Sequence, residues 1–243
     1  MIKFFRKIRQ NLLSEGKTGK YFKYAIGEIV LVVIGILIAL QINNWNEVRK
    51  DSIRQASYLK YLITDFSKDT LAIQNVLNYQ IEDSIKISQL QEKLTSKDAS
   101  LDDLLTIMIY DWNPRIGILR SFNTNTVEAL VSTGDINLID SELLNNLANL
   151  KNLQEAYISS SVPFIEFYRN SNTSVGVPAI MSVINQGPIF DQMIESVDKI
   201  SLAYKFDSQL RIKRQAYRNS IRELNEILNE TVTIITIIDR KLQ

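Results

Sequence analysis

The chain has 243 residues, a net charge of +1 and 45 % hydrophobic residues, with no cysteine and no histidine. That composition excludes a global basic field for nucleic acid. It also excludes disulfides, thiolate nucleophiles, zinc sites built on Cys or His, and every triad that uses His as base. With only 8 Gly and 4 Pro, a turn-rich all-β fold gives way to an all-α one.

The first element is residues 1–19. Ile2, Phe5, Ile8 and Leu12 recur at helical spacing, and Lys3, Arg6, Lys7 and Arg9 cover the remaining faces. A basic amphipathic helix of this kind lies on an anionic membrane surface, with Phe5 and Lys7 at the interface. The alternative is a disordered basic tail, since short isolated helices are marginal in water. Gly16 and Gly19 let the chain turn towards the bilayer.

Residues 20–45 read as a transmembrane helix. From Ala25 to Ile42 the chain is almost wholly apolar, and at 1.5 Å per residue this stretch is about 27 Å long, close to the hydrocarbon thickness of a bilayer. Tyr21, Phe22 and Tyr24 mark one interface and Trp45 the other. A cleaved signal peptide would need a shorter apolar region and a small-x-small cleavage site. Lys3, Arg6, Lys7, Arg9, Lys17, Lys20 and Lys23 precede the segment against Glu15 alone. The excess of positive charge stays inside, so residues 46–243 lie outside, which in a bacterium is the periplasm.

Inside the apolar run, Gly27, Glu28, Gly35 and Ala39 form the candidate helix-association surface. Gly35-x-x-x-Ala39 is a small-x-x-x-small pair that lets two helix backbones approach, and Glu28 lies one heptad before Gly35. One acid without a second intramembrane titratable group makes no proton relay, so a packing role is favoured over transport.

Residues 46–243 read as a helical bundle with two long helices, about 44–97 and about 202–242. Trp45, Ala56, Leu59, Ile63, Phe66, Ile73 and Leu77 form the stripe of the first. Leu210, Tyr217, Ile221, Leu224, Leu228, Ile235 and Ile238 form that of the second, and the two are expected to pair antiparallel. Between them, Ser100-Leu-Asp-Asp103 has the form of a capping box opening a short helix to about Tyr110. Asp111-Trp-Asn-Pro114 then breaks it. A helix over Val127–Thr133 ends at Gly134 as a left-handed cap, and Asp140 caps a further helix striped by Leu143, Leu147, Leu150, Leu153 and Tyr157. Residues 171–178 read as a loop and 185–188 as a turn.

The chain carries no phosphate-binding, nucleophile-elbow, zincin or EF-hand motif, so neither enzymatic activity nor a cofactor or metal is expected. Asp102–Asp103 and Glu226–Glu230 read as solvated acid pairs. Arg211, Lys213, Arg214 and Arg218 read as a solvated basic face balanced by Asp207 and Glu223. Trp112, Arg115 and Arg120 cluster at the loop where a ligand pocket is easiest to build.

The opening MIKFFRKIRQ, the block GEIVLVVIGILIALQINNWNE from Gly27 to Glu47, and Thr126-Val-Glu-Ala-Leu-Val-Ser-Thr-Gly-Asp-Ile-Asn-Leu-Ile-Asp140 resemble an uncharacterised single-pass inner-membrane protein family of Bacteroidota, flavobacteria especially. Val127 departs from the pattern, which has Tyr there. The resemblance implies a bacterial inner membrane and a periplasmic helical domain, and no activity. The expected function is therefore a membrane-anchored, oligomeric, non-enzymatic interaction or scaffold protein. Its expected partners are membrane lipid and a second copy or another envelope protein, not nucleic acid. The alternative is a small channel or ion-coupled component with Glu28 at a pore. A periplasmic ligand sensor lacks a cytoplasmic output domain.

Overall fold

The computed structural model describes residues 18–174 and 186–243. The predicted amphipathic helix with Phe5 and Lys7 falls outside the described residues, as does the side chain of Tyr24. Among the described residues the fold is all-α, with six helices and no strand: α1 (Thr18–Leu94), α2 (Leu101–Thr106), α3 (Asn125–Thr133), α4 (Ser141–Ser174), α5 (Pro188–Ser196) and α6 (Lys199–Leu242). The chain divides into two compact units, Met1–Ala56 and Ser57–Gln243.

In the described part of the first unit the apolar side chains are open to solvent. From Ile26 to Ile42 every large hydrophobic residue is between 47 % and 65 % exposed, on all faces of the helix. A one-sided globular helix would show a buried stripe at 3.6-residue spacing; here none exists.

The second unit buries its apolar faces. Leu59, Leu62, Phe66, Ile73 and Leu77 on α1 meet Leu143, Leu147, Leu150 and Tyr157 on α4 and Leu224, Ile227, Ile234 and Ile238 on α6. A second cluster joins Ile87 and Leu90 to Met108, Trp112, Tyr168, Phe206 and Leu210. The long helices pair as the stripes predict. Gln80 meets Ser220 at 2.9 Å and Asp83 meets Tyr217 at 2.7 Å, so α1 and α6 are antiparallel. Lys241 meets Asp140 at 2.9 Å and Glu223 meets Ser161 at 2.7 Å, so α4 and α6 are antiparallel too.

It follows that α1 and α4 run the same way, and the chain must travel back between them. Ser100 closes a reciprocal capping box with Asp103 at the start of α2. A π-helical turn, Ile107–Asp111, follows and ends with Trp112 N–H donating to Ile107 O at 2.8 Å. Residues 112–124 then form no regular structure and run back along α1. Asn123 lies against Asp69, Thr126 against Asp65, and Asp135 against Tyr58. The return from the level of Asp83 to that of Asp65 is about 27 Å at helical rise, within reach of an extended chain of this length.

The local signals hold with small shifts. α3 starts at Asn125 rather than Val127 and ends at Gly134 in the left-handed region (φ 77°). α6 begins at Lys199, where Asp198 accepts from the N–H groups of Ile200 and Ser201. α4 runs on to Ser174, into the segment expected to be a loop, although Pro163 interrupts its hydrogen bonding. Asp140 caps α4 by accepting from Leu143 N–H at 3.1 Å. Burial alone would raise its carboxyl, but the Lys241 ammonium and the Leu143 N–H together hold it below the usual carboxylate range.

Because that carboxyl sits lower in the folded chain than in the unfolded one, its stabilisation is present above the ordinary Asp range and fades as pH falls through the folded value. Asp140→Ala is expected to cost about 1 kcal/mol in urea unfolding at neutral pH, and the difference from the parent should vanish near pH 2.

Candidate functional site

Two regions carry side chains whose placement the packing of a simple bundle does not require. The first is the apolar half of α1. It is the one helix, among the described residues, long and apolar enough to cross a membrane; its most apolar 18-residue window has a mean hydropathy of 2.6 and none of it is buried. Glu28, Gly35 and Ala39 fall within an arc of roughly 40° at helical spacing. A Cβ added at Gly27 or Gly35 would meet nothing within 4 Å. The helix surface at Gly27 and Gly35 is therefore open, and Trp45, beyond the apolar run, is 67 % exposed.

The second region is a polar layer between the two apolar clusters of the Ser57–Gln243 unit. Lys213, expected on a solvated basic face, is fully buried, which corrects that expectation. Its ammonium lies 2.6 Å from Asp83 and donates to Asn113 O at 2.5 Å. The rings of Trp112, Tyr217 and Tyr168 surround it at 4.5, 5.6 and 6.0 Å, close enough for cation–π attraction. Tyr217 Oη donates to the same Asp83 carboxylate. Burial pulls the Lys213 ammonium below its ordinary value against the pull of Asp83, and burial pushes the Tyr168 and Tyr217 phenols well above theirs. The rest of the basic stretch behaves as expected: Arg211 is exposed and pairs with Asp207 at 3.7 Å.

Three further buried polar side chains continue this layer along α1: Gln80, Asp69 and Asp65. Asp69 takes both the backbone N–H and the side-chain amide of Asn123, the latter at 2.6 Å. Burial nevertheless raises its carboxyl more than those bonds lower it. Asp65 takes the N–H and hydroxyl of Thr126. Gln80 donates to Gly117 O and to Ser220. The sequence reading missed this stripe because it registered apolar spacing only. The available signal was Asp65, Asp69, Gln80 and Asp83 interleaved with Leu62, Phe66, Ile73 and Leu77 on the same inward arc.

The candidate pocket residues are placed apart by this arrangement. Trp112 is core, packed edge-to-face on Phe206. Arg120 is exposed and paired with Glu166 at 2.6 Å. Arg115 closes an Asx-type turn headed by Asn113, donating its N–H to Asn113 Oδ1. An open surface groove of about 350 Å³ lies elsewhere, between Tyr58, Tyr61, Asp65 and Lys68 of α1 and Asn125 and Thr126 of α3, and none of those three lines it. Of the acid pairs, Asp102 holds Lys199 at 2.7 Å and Glu226 holds Arg222 at 3.5 Å.

Among the described residues, the fold and these surfaces define an all-helical protein with one helix long and apolar enough to cross a membrane and, in the Ser57–Gln243 unit, a buried polar layer. The chain belongs to a family of unknown function, DUF6090, whose model matches residues 28–178, more than half of its length. The match opens at Glu28 inside the apolar helix and takes in the α1 and α4 sides of the polar layer. No curated protein and no solved structure matches the chain.

The Asp83–Lys213 pair should behave as a buried ion pair does. Asp83→Leu alone strands the ammonium and is expected to cost about 3–5 kcal/mol in denaturant unfolding. Asp83→Leu combined with Lys213→Met should recover a large part of that loss, measured as a double-mutant cycle.

Proposed function

We propose that this chain is a non-enzymatic interaction protein anchored in a bacterial inner membrane by the apolar half of α1. In this reading residues 1–19 form a basic cytoplasmic arm, 20–45 the transmembrane helix and 46–243 a periplasmic helical domain. Copies associate through the Glu28, Gly35 and Ala39 face, and the helical domain engages another envelope component.

One observation carries the reading: apolar side chains stand half-exposed on every face of α1 from Ile26 to Ile42, while the Ser57–Gln243 unit buries its own. Uncovered apolar area of this extent is unfavourable in water at about 25 cal/mol per Å² and costs nothing in lipid. Closed backbone hydrogen bonding within one helix is what a lipid-facing segment needs. The flanking charge supports the orientation, with seven Lys or Arg before the segment. The open face at Gly27 and Gly35 supports close approach of a second helix. The absence of His and Cys, which removes the commonest general base and thiol nucleophile, supports a role in binding rather than catalysis.

A chain without cysteine suits single-cysteine mapping. The protein should stay in the membrane fraction through alkaline carbonate extraction. An impermeant maleimide should label Ser52→Cys in intact spheroplasts and Ser14→Cys only after permeabilisation; the reverse pattern, or release by carbonate, would defeat the reading. Oxidative crosslinking in membranes should give dimer from Gly35→Cys and little from Leu37→Cys, about half a turn away. Equal yields would remove the association face while leaving the anchor intact.

A further inference from the structure

Residues 112–124 are held unlike any other part of the domain. Among the described residues, no backbone–backbone hydrogen bond involves residues 113–123. Six of their backbone groups are met instead by side chains of three helices. Lys213 and Tyr168 donate to the carbonyls of Asn113 and Pro114. Tyr79 and Gln80 donate to those of Arg115 and Gly117. Tyr157 accepts from Leu119 N–H and Asp69 from Asn123 N–H. This is how a receptor holds an extended peptide: affinity from main-chain hydrogen bonds, register from a few anchoring side chains. The anchor is Trp112, and most of the segment is only half-buried.

The fit is also incomplete. Trp112 Nε1, on the segment, and Gln80 Oε1, on the groove, are both buried without a hydrogen-bond partner. Unmet buried groups carry a desolvation cost that a different occupant could relieve. At Gly117 the segment lies so close to α1 that an added Cβ would sit 2.6 Å from the Tyr79 ring. An extended connection of this length without regular structure is uncommon inside a compact domain, and such segments are usually functional.

We infer that the groove between α1, α4 and α6 is a receptor for an extended polypeptide, filled in this chain by its own residues 112–124. When that strap lifts, an extended segment of a partner protein takes its place, read through its backbone carbonyls and N–H groups and anchored by an aromatic side chain at the Trp112 site. The inference rests on the reading of the helical domain as an interaction module, and it is independent of the anchor: failure of peptide binding with membrane attachment intact overturns this inference alone.

The test uses the full-length protein in detergent micelles. Gly117→Ala weakens the strap's seat by pressing on the Tyr79 ring and leaves every groove residue unsubstituted. A fluorescein-labelled synthetic peptide spanning residues 111–126 is titrated against both proteins. The expected result is saturable binding at least tenfold tighter to Gly117→Ala than to the parent, with α6 amides still protected from hydrogen exchange. No binding to a Gly117→Ala protein whose α6 amides stay protected overturns the proposal. If that variant does not fold, hydrogen exchange on the parent decides. Strap amides at Leu119 and Asn123 opening well before those of α6 uphold a strap that lifts from a standing bundle. Strap and α6 amides opening together, at the rate of global unfolding, refute it.

Discussion

The organisation of this molecule depends on one constraint: apolar side chains on α1 need a partner phase, and the protein supplies one for only part of the helix. From Leu59 onward the inward residues are sealed under α4 and α6. From Ile26 to Ile42 the large apolar side chains stand half-exposed on every face. Hydrophobic burial is non-directional and scales with area, and an apolar surface bare on every side is what a helix long and apolar enough to cross a membrane presents. Helical hydrogen bonding meets the backbone's needs in either setting.

Within the Ser57–Gln243 unit a second demand shapes the architecture. With α1 and α4 both antiparallel to α6, the connection has to return along the bundle. A helix there would give four-layer packing; the chain uses an extended segment. Extended backbone buried against helices has no ladder to join, so its carbonyls and N–H groups require side-chain partners. That is the physical reason for polar residues on the inward arc of α1. Asp83 and Lys213 neutralise each other where burial is deepest, and the surrounding rings stabilise the ammonium further. A buried ion pair adds little net stability once desolvation is counted, although removing one partner alone is costly. Here the pair sets the level at which α1, α6 and the strap meet.

Much of the fold was legible in the residues themselves. Periodic Leu and Ile spacing located α1, α4 and α6, and Ser100, Gly134 and Asp140 marked helix ends through capping chemistry that acts over a few residues. What was not legible came from tertiary context. The polar run at residues 171–178 read as a loop, yet α4 continues into it as far as Ser174. Lys213 looked solvated because it stands beside Arg211 and Arg214, and only the position of Asp83, far away in sequence, explains its burial. Trp112, Arg115 and Arg120 clustered in sequence, but an extended chain turns successive side chains to different sides, and they part accordingly.

The account stands on the claim that α1 is one helix in two solvents. Spin labels placed singly at each position from 26 to 42 and from 59 to 90, in protein reconstituted into bilayers, measure it directly through collisions with oxygen and with a water-soluble nickel chelate. The account predicts that the chelate is excluded from every face over 26–42. Over 59–90 it should reach the outward positions and miss the inward ones at 3.6-residue spacing. Access of the chelate to one side of the helix between 26 and 42, repeating with the helical period, would contradict it.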